Sequence, residues 1–208
     1  NIKGFDPYKM VGTSFKLEGS HQEVGFQQSH LKKLAKKYNG LIAGADNGKR
    51  GYNLTFAIAY IRDFISNYHI VGETMETSVP WSKIHTVCDA ATNRLHELHK
   101  KHNIPGTPYM SYRIPQIYHT GVCIYFMFAI SVKGIKNSID IFHSIEHSMR
   151  EAIIENGGSI SHHHGVGKLR KDFMTDTISP ASIELLKQIK HSHDPNNIFG
   201  IRNNVFYD

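Results

Sequence analysis

The sequence has few cysteines, no long apolar run and no internal repeat, and each absence narrows the class of protein. Its two cysteines, Cys88 and Cys123, form no Cys-X-X-Cys motif and are too few for a disulfide framework. We therefore expect both thiols to be buried in an intracellular protein. The longest apolar run, residues 122–132, has the length of a strand and falls well short of the roughly 20 residues that a membrane-spanning helix needs.

The charge balance is basic, but the cations are scattered along the chain. Lysine and arginine number 24 against 18 aspartates and glutamates, a formal net charge of +6. Such an excess suits a polyanion, a membrane surface or a phosphorylated substrate. Because no basic cluster stands out, we expect no nucleic-acid partner. The chain begins with asparagine and has no charged-then-apolar leader, so we expect a processed or partial chain.

Hydrophobic periodicity predicts a mixture of helices and strands. Apolar residues at three- and four-residue steps predict helices over residues 20–38, 52–68, 80–102, 138–155 and 179–191. Alternation predicts a strand over 11–19. Residues 70–79 are predicted as a strand or loop, residues 109–118 and 121–132 as an antiparallel pair separated by two residues, and residues 46–48 carry a turn signal. The last strand is apolar on both faces and should be central and covered. We predict an α+β fold, an antiparallel sheet with helices packed on one side, followed by a C-terminal helical segment.

Residues 157–171 concentrate the candidate chemistry. His162, His163 and His164 can exchange protons near neutral pH, and the glycines beside them allow close approach of a ligand. Three cations follow and could hold an anion, namely Lys168, Arg170 and Lys171. The alternative is a solvated loop or a tag, but the run is interior and follows a helix-ending Gly-Gly.

A metal site at the three histidines is not expected. Zinc ligands are usually spread over two elements and include a cysteine or a carboxylate at fixed spacing. Adjacent residues of an extended chain also point to opposite faces. An extended run would place His162 and His164 on one face and His163 on the other.

Two polar side chains lie in apolar surroundings. Arg62 would cost desolvation energy without an anionic partner, which could be the neighbouring Asp63 or an incoming carboxylate or phosphate. Tyr125 lies in the middle of the apolar strand and needs a hydrogen-bond partner for its hydroxyl. From the pattern alone, Tyr125 can equally be an ordinary core aromatic.

Four motifs, in order along the chain, carry a resemblance to a known family. They are Ala-Tyr-Ile-Arg-Asp at 59–63, Cys-Ile-Tyr-Phe at 123–126, Ser-His-His-His-Gly-Val-Gly-Lys-Leu-Arg-Lys at 161–171 and Asp-Pro-Asn-Asn-Ile-Phe-Gly at 194–200. With them the chain resembles the alkyldihydroxyacetonephosphate synthase (alkylglycerone-phosphate synthase) family of FAD-binding, vanillyl-alcohol-oxidase-like flavoproteins. The resemblance implies a cap and substrate-binding domain over 1–156 and, over 157–208, a C-terminal active-site segment returning to the FAD domain. No flavin-phosphate loop is visible, so the FAD-binding domain is expected to lie outside this chain.

The resemblance also implies a reaction. A FAD-dependent transferase exchanges the acyl group of acyl-dihydroxyacetone phosphate for a long-chain fatty alcohol, without net redox, while flavin N5 holds the three-carbon unit covalently. The pathway would be ether-lipid biosynthesis, plasmalogens included, in peroxisomes. A homodimer and a peripheral membrane contact are further expectations.

The resemblance assigns roles to six residues. Tyr125 would be the acid/base that moves the proton on the carbon next to the ketone. Arg62 would bind substrate. The catalytic group would include the three histidines, and cofactor contacts would come from His163, His164 and Arg202, the last lying in a C-terminal stretch that the family needs for activity.

Two other functions stay open. The chain could belong to a flavin-linked oxidase or dehydrogenase of a hydroxy acid or phenol, because the cap architecture is shared. Net reduction of flavin by one substrate would favour that reading. The chain could also be a basic, histidine-rich module that binds metal or nucleic acid, and zinc held tetrahedrally by His162, His163 and His164 would favour it.

Overall fold

The structure is a computed structural model that describes residues 4–6 and 9–206, with the backbone alone at residues 54, 55, 58 and 59. The chain divides into two compact units, Asn1–Asp63 and Phe64–Asp208. The predicted domain boundary between residues 156 and 157 separates the cap from the segment that would return to the FAD domain. This boundary stays a prediction.

The first unit is helical and differs most from the sequence prediction. It contains α1 (His21–Lys37), α2 (Ala45–Asn53), a 3-10 turn (Leu54–Ala57) and the start of α3 (Ile58–Ser66). The capping box of Ser20 and Glu23 starts α1 as expected. The predicted strand over 11–19 is wrong, since those residues have no regular structure and Phe15 is 63% exposed. The turn predicted at 46–48 is also wrong, because these residues lie in α2.

The second unit is built on a three-stranded antiparallel sheet. Its strands are β1 (Ile70–Pro80), β2 (Tyr109–Ile117) and β3 (Gly121–Ser131), in the order β1-β3-β2. The apolar strand β3 is central, as predicted. Gly121 is required where β3 meets the end of β1, because a Cβ there would lie 2.1 Å from the carbonyl oxygen of Val79.

Helices cover one face of the sheet and form the core. The long helices α4 (Ile84–Lys101) and α5 (Ser138–Glu155) pack together, and their apolar sides share one buried cluster with alternate residues of the strands. The β3 side chains of this cluster are Val122, Ile124, Phe126, Phe128 and Ile130. The predicted α+β class, with helices on one side of an antiparallel sheet, is confirmed.

The C-terminal segment adds α6 (Met174–Thr177), α7 (Pro180–His193) and a small core of its own. That second cluster contains Ile160, Phe173, Met174 and Val205. Within the part of the chain that the structure describes, no helix combines the length and apolarity needed to cross a bilayer. The other face of β3 carries Cys123 and Tyr125. On that face the histidine segment, residues 157–171, meets the sheet.

Candidate functional site

The histidine segment reaches the sheet by crossing the outer edge of β1. Helix α5 ends at Glu155, and Gly157, two residues further on, has a φ of +94° that favours glycine. A Cβ on Gly158 would lie 2.5 Å from Cγ2 of Ile153 and 2.7 Å from Oγ1 of Thr77, so only glycine fits this approach. Ser159 then bonds to the free edge of β1, since its N–H donates to the Ser78 carbonyl at 3.1 Å and its Oγ accepts from the Ser78 N–H at 2.9 Å.

The buried carboxylate of Glu76 gathers the histidine segment around one oxygen. Its Oε1 accepts from four donors, which are the Ser161 hydroxyl at 2.8 Å and the N–H groups of His162 at 2.7 Å, His163 at 2.9 Å and His164 at 2.9 Å. Burial alone raises the pKa of this carboxyl, but the four hydrogen bonds outweigh it and hold the pKa at about 2. Glu76 is therefore a fixed negative charge at the centre of the site.

Convergence on Glu76 shows that the histidine run is not extended, so the arrangement described for an extended run does not apply. Three successive N–H groups that point to one oxygen require a tight loop, so the imidazoles do not alternate between faces. His163 and His164 both face Tyr125. The sequence left the conformation of the run open, because a distant carboxylate sets it.

Tyr125 of β3 packs against this loop rather than in the sealed core. Strand register places Glu76 and Arg113 directly on either side of it, so all three side chains share one face. Its ring centroid lies 6.1 Å from that of His163 and 5.3 Å from that of His164, and the Arg113 guanidinium stands 4.5 Å above the ring. Its hydroxyl donates to Oγ1 of Thr74 at 3.0 Å. The phenol of Tyr125 therefore has two imidazoles and the guanidinium of Arg113 packed around it.

His162 and His163 belong to a hydrogen-bonded network. Their Nδ1 atoms are 2.9 Å apart, and Nε2 of His162 lies 2.6 Å from the hydroxyl of Tyr118. Oε2 of Glu76 lies 3.3 Å from Nδ1 of His163 and 3.7 Å from Nδ1 of His162. Trp81 supports this end, because its indole N–H donates to the Tyr118 carbonyl at 3.1 Å.

His164 is held differently from the other two histidines. The buried Arg170 donates to the Gly165 carbonyl at 2.9 Å and lies 3.4 Å from Nδ1 of His164. Burial lowers the pKa of His164, and the neighbouring His163 and Arg170 add to the effect against the charge of Glu76. A neutral His164 can accept the Arg170 hydrogen bond.

One cluster among the described residues has the composition of a metal site. Glu76, Cys123, His162 and His163 each offer a ligand atom, all within 4.8 Å of one another. The same atoms already have other contacts, since the two Nδ1 atoms bond to each other. Burial raises the pKa of the Cys123 thiol to about 11, whereas zinc binds the thiolate. The prediction of no metal stays a prediction.

The other two predicted site residues are Arg62, in the first unit, and Arg202, in the second. Arg62 belongs to the first unit, its side chain is 67% exposed, and its Nε lies 3.8 Å from Oδ1 of Asp63. Because this guanidinium is largely hydrated, the desolvation cost expected for Arg62 does not arise within the first unit. Arg202 is exposed, with a φ of +64°, and its N–H donates to the Phe206 carbonyl at 3.1 Å.

The C-terminal tail is attached to the loop that follows the histidines. The N–H of Asn204 donates to the Gly167 carbonyl at 2.8 Å, and Val205 is buried. The tail around Arg202 therefore helps to fix the histidine segment. Roles of Arg62 and Arg202 in binding stay predictions.

Sequence reasoning assigned no role to several residues that build the site, which are Glu76, Thr74, Tyr118 and Arg113. A charged residue in the middle of a strand was the one available signal. Glu76 is such a residue, between Met75 and Thr77, which lie on the buried face.

Comparison with known proteins agrees with the motifs. The family described as FAD linked oxidases, C-terminal domain, matches residues 13–202. An alkyldihydroxyacetonephosphate synthase of Caenorhabditis elegans is 41% identical over 201 residues, 97% of this chain and 34% of the relative, and one of Dictyostelium discoideum is 27% identical over 197 residues, 95% and 32%. A solved alkyldihydroxyacetonephosphate synthase structure, 22% identical, has a TM-score of 0.61 over 85% of this chain and 29% of that chain.

These findings confirm the resemblance drawn from the four motifs. The chain spans about a third of the length of the curated relatives. The solved structure supports the fold, and the family match extends over both compact units. The chain therefore belongs to the FAD-linked oxidase family and corresponds to the C-terminal domain of that family.

Proposed function

We propose that this chain is the substrate-binding and C-terminal part of an alkyldihydroxyacetonephosphate synthase. The enzyme exchanges the acyl group of acyl-dihydroxyacetone phosphate for a long-chain fatty alcohol, releasing a fatty acid, in ether-lipid synthesis. The observation that carries the proposal is the convergence of Tyr125 with His163 and His164. The 41% identity to a protein of that name supports it.

Tyr125 is the proposed acid/base of the exchange. Once its hydroxyl proton has passed to a neighbouring imidazole, the phenolate oxygen of Tyr125 takes the proton from the carbon next to the substrate ketone and later returns it, and no net redox change is involved. Oγ1 of Thr74 accepts a hydrogen bond from the Tyr125 hydroxyl and so orients its oxygen. Arg113, above the ring, provides a positive charge beside any negative charge that develops.

The exposed side of the site fits a flat aromatic cofactor. The His163 side chain is 50% exposed, and both His163 and His164 present rings around Tyr125. We assign these two histidines and Arg202 to contact with FAD, which when bound supplies the attachment point for the three-carbon unit. His162 supports His163 through the Nδ1 contact. We assign Arg62 to the substrate, as a guanidinium suited to phosphate.

The cellular setting is also part of the proposal. We propose a homodimer in peroxisomes, with a peripheral membrane contact and plasmalogens among the final products. The net charge of +6 supports attraction to an anionic surface. A fatty alcohol and a fatty acid as reactant and product support proximity to lipid.

The test uses the full-length enzyme with bound FAD. Tyr125→Phe should abolish acyl-for-alkyl exchange while the flavin stays bound, because only the hydroxyl is removed. Tyr109→Phe is the matched control, since Tyr109 is an exposed residue of β2, and it should keep wild-type turnover. Wild-type exchange by Tyr125→Phe would refute the acid/base assignment.

A flavin-linked oxidase or dehydrogenase of a hydroxy acid or phenol is the second candidate. The description of the matching family, FAD linked oxidases, favours keeping it. The two functions differ in their electron balance. Anaerobic bleaching of the flavin by a single substrate would favour the oxidase, whereas exchange without any electron acceptor favours the synthase.

A further inference from the structure

The contact between the Nδ1 atoms of His162 and His163 permits two proton arrangements. At 2.9 Å the two nitrogens form a hydrogen bond, which needs a proton on one of them and a lone pair on the other. In a neutral pair, the ring that donates through Nδ1 has a lone pair on its Nε2, and the ring that accepts has its proton on Nε2. The two arrangements therefore differ in which Nε2 is free to accept a proton.

Tyr118 is compatible with both arrangements. If His162 donates through Nδ1, the hydroxyl of Tyr118 donates to Nε2 of His162, and His163 carries its proton on Nε2. If His163 donates, the Nε2–H of His162 donates to the oxygen of Tyr118, 2.6 Å away. The contact with Tyr118 therefore stabilises either state, and the choice must come from another group.

Glu76 is the group that distinguishes them. Its Oε2 lies 3.3 Å from Nδ1 of His163 but 3.7 Å from Nδ1 of His162, so its charge favours a proton on His163 more than one on His162. The carboxylate cannot turn away, because Oε1 already accepts four hydrogen bonds. The Cys123 thiol also lies near Oε2, at 4.0 Å. Burial keeps this thiol protonated, because it raises the pKa to about 11.

We infer that Glu76 is a positioning residue that fixes the tautomer of His163, with the proton on Nδ1 and a lone pair on Nε2. The same interaction makes Tyr118 the acceptor for the Nε2–H of His162. In this neutral tautomer, the ring packed on Tyr125 carries an unprotonated nitrogen, Nε2. As a role in catalysis this rests on the proposed function, since the exchange needs a proton acceptor beside Tyr125. The tautomer itself does not depend on the reaction.

The tautomer can be measured by nitrogen NMR on the full-length enzyme labelled with ¹⁵N-histidine. The resonances of His163 are assigned by their loss in His163→Gln. At neutral pH we expect Nδ1 of His163 to be protonated and Nε2 unprotonated. The opposite pattern in the wild-type enzyme would overturn the inference, even if Glu76→Gln does not fold.

Glu76→Gln tests the cause. Glutamine keeps a carbonyl oxygen for the loop N–H groups, but its NH₂ group then faces the imidazoles and favours a lone pair on Nδ1 of His163. We expect the proton of His163 to move to Nε2 and kcat to fall at least about tenfold with little change in KM. An unchanged His163 spectrum in this variant would refute the role of Glu76.

Glu146→Gln is the matched control. Glu146 is equally buried, pairs with Arg150 at 2.7 Å and lies 3.7 Å from Nδ1 of His143. This variant should lower stability without moving the His163 signals, which separates loss of a buried carboxylate from loss of the tautomer. A wild-type enzyme without exchange activity would sink the proposed function but leave the tautomer result intact.

Discussion

Acid should release the histidine segment from the sheet, because protonation removes the charge of Glu76 that holds it. The pKa of this carboxyl is about 2 in the folded protein against an ordinary value of 4.5. Since the folded value is the lower one, the stabilisation is present above about pH 4.5 and is lost as the pH falls towards 2. The difference corresponds to about 3 kcal/mol of opening free energy, or two to three powers of ten in the population of the open segment.

Hydrogen exchange at the N–H groups of His162, His163 and His164 measures this directly, because all three donate to Glu76. Protection, corrected for the intrinsic exchange rate, should fall steeply between about pH 4.5 and the lowest accessible pH. In Glu76→Gln protection should be lower at neutral pH and change little with acid.

The comparison with the variant is essential, because Asp194 titrates in the same range. The bond from Lys190, together with the N–H groups of Ile198 and Phe199, holds the pKa of Asp194 at about 2. Acid can therefore loosen the C-terminal turn independently. Equal loss of protection in wild type and Glu76→Gln would refute the argument that Glu76 charge anchors the segment.

Three further predictions concern packing, thiols and metal. Gly158→Ala should destabilise the protein by about 1–3 kcal/mol in thermal unfolding, since its Cβ would lie 2.5 Å from a side chain, whereas Gly25→Ala, with open space in α1, should have a neutral or stabilising effect and fails as a control if it does not. Cys88 and Cys123 should resist alkylation at pH 7 in the folded protein, because burial raises the pKa of both thiols to about 11; rapid labelling would contradict their burial. Purified full-length enzyme should contain zinc far below one ion per chain, and stoichiometric zinc lost in a variant of the Glu76 cluster would overturn that expectation.

Much of the second unit could be predicted from local sequence. The three- and four-residue apolar steps of α4 and α5 report one buried face each, and the continuous apolar run of β3 reports a central, covered strand. These elements form where expected. Local patterns failed in the first unit, where residues 11–19 alternate without burying a face. Alternation predicts a strand only if a partner strand or a core is present to use it.

The sequence by itself determined the elements of the sheet and its covering helices, and its motifs identified Tyr125 and the histidines as candidates. Tertiary structure decided how those residues meet. Glu76 lies 86 positions before His162 along the chain, yet it fixes the loop through four hydrogen bonds to one oxygen. Periodicity records which face of a strand is buried. The group that covers the other face depends on where a distant segment folds back, and packing of the whole unit sets the position of that segment.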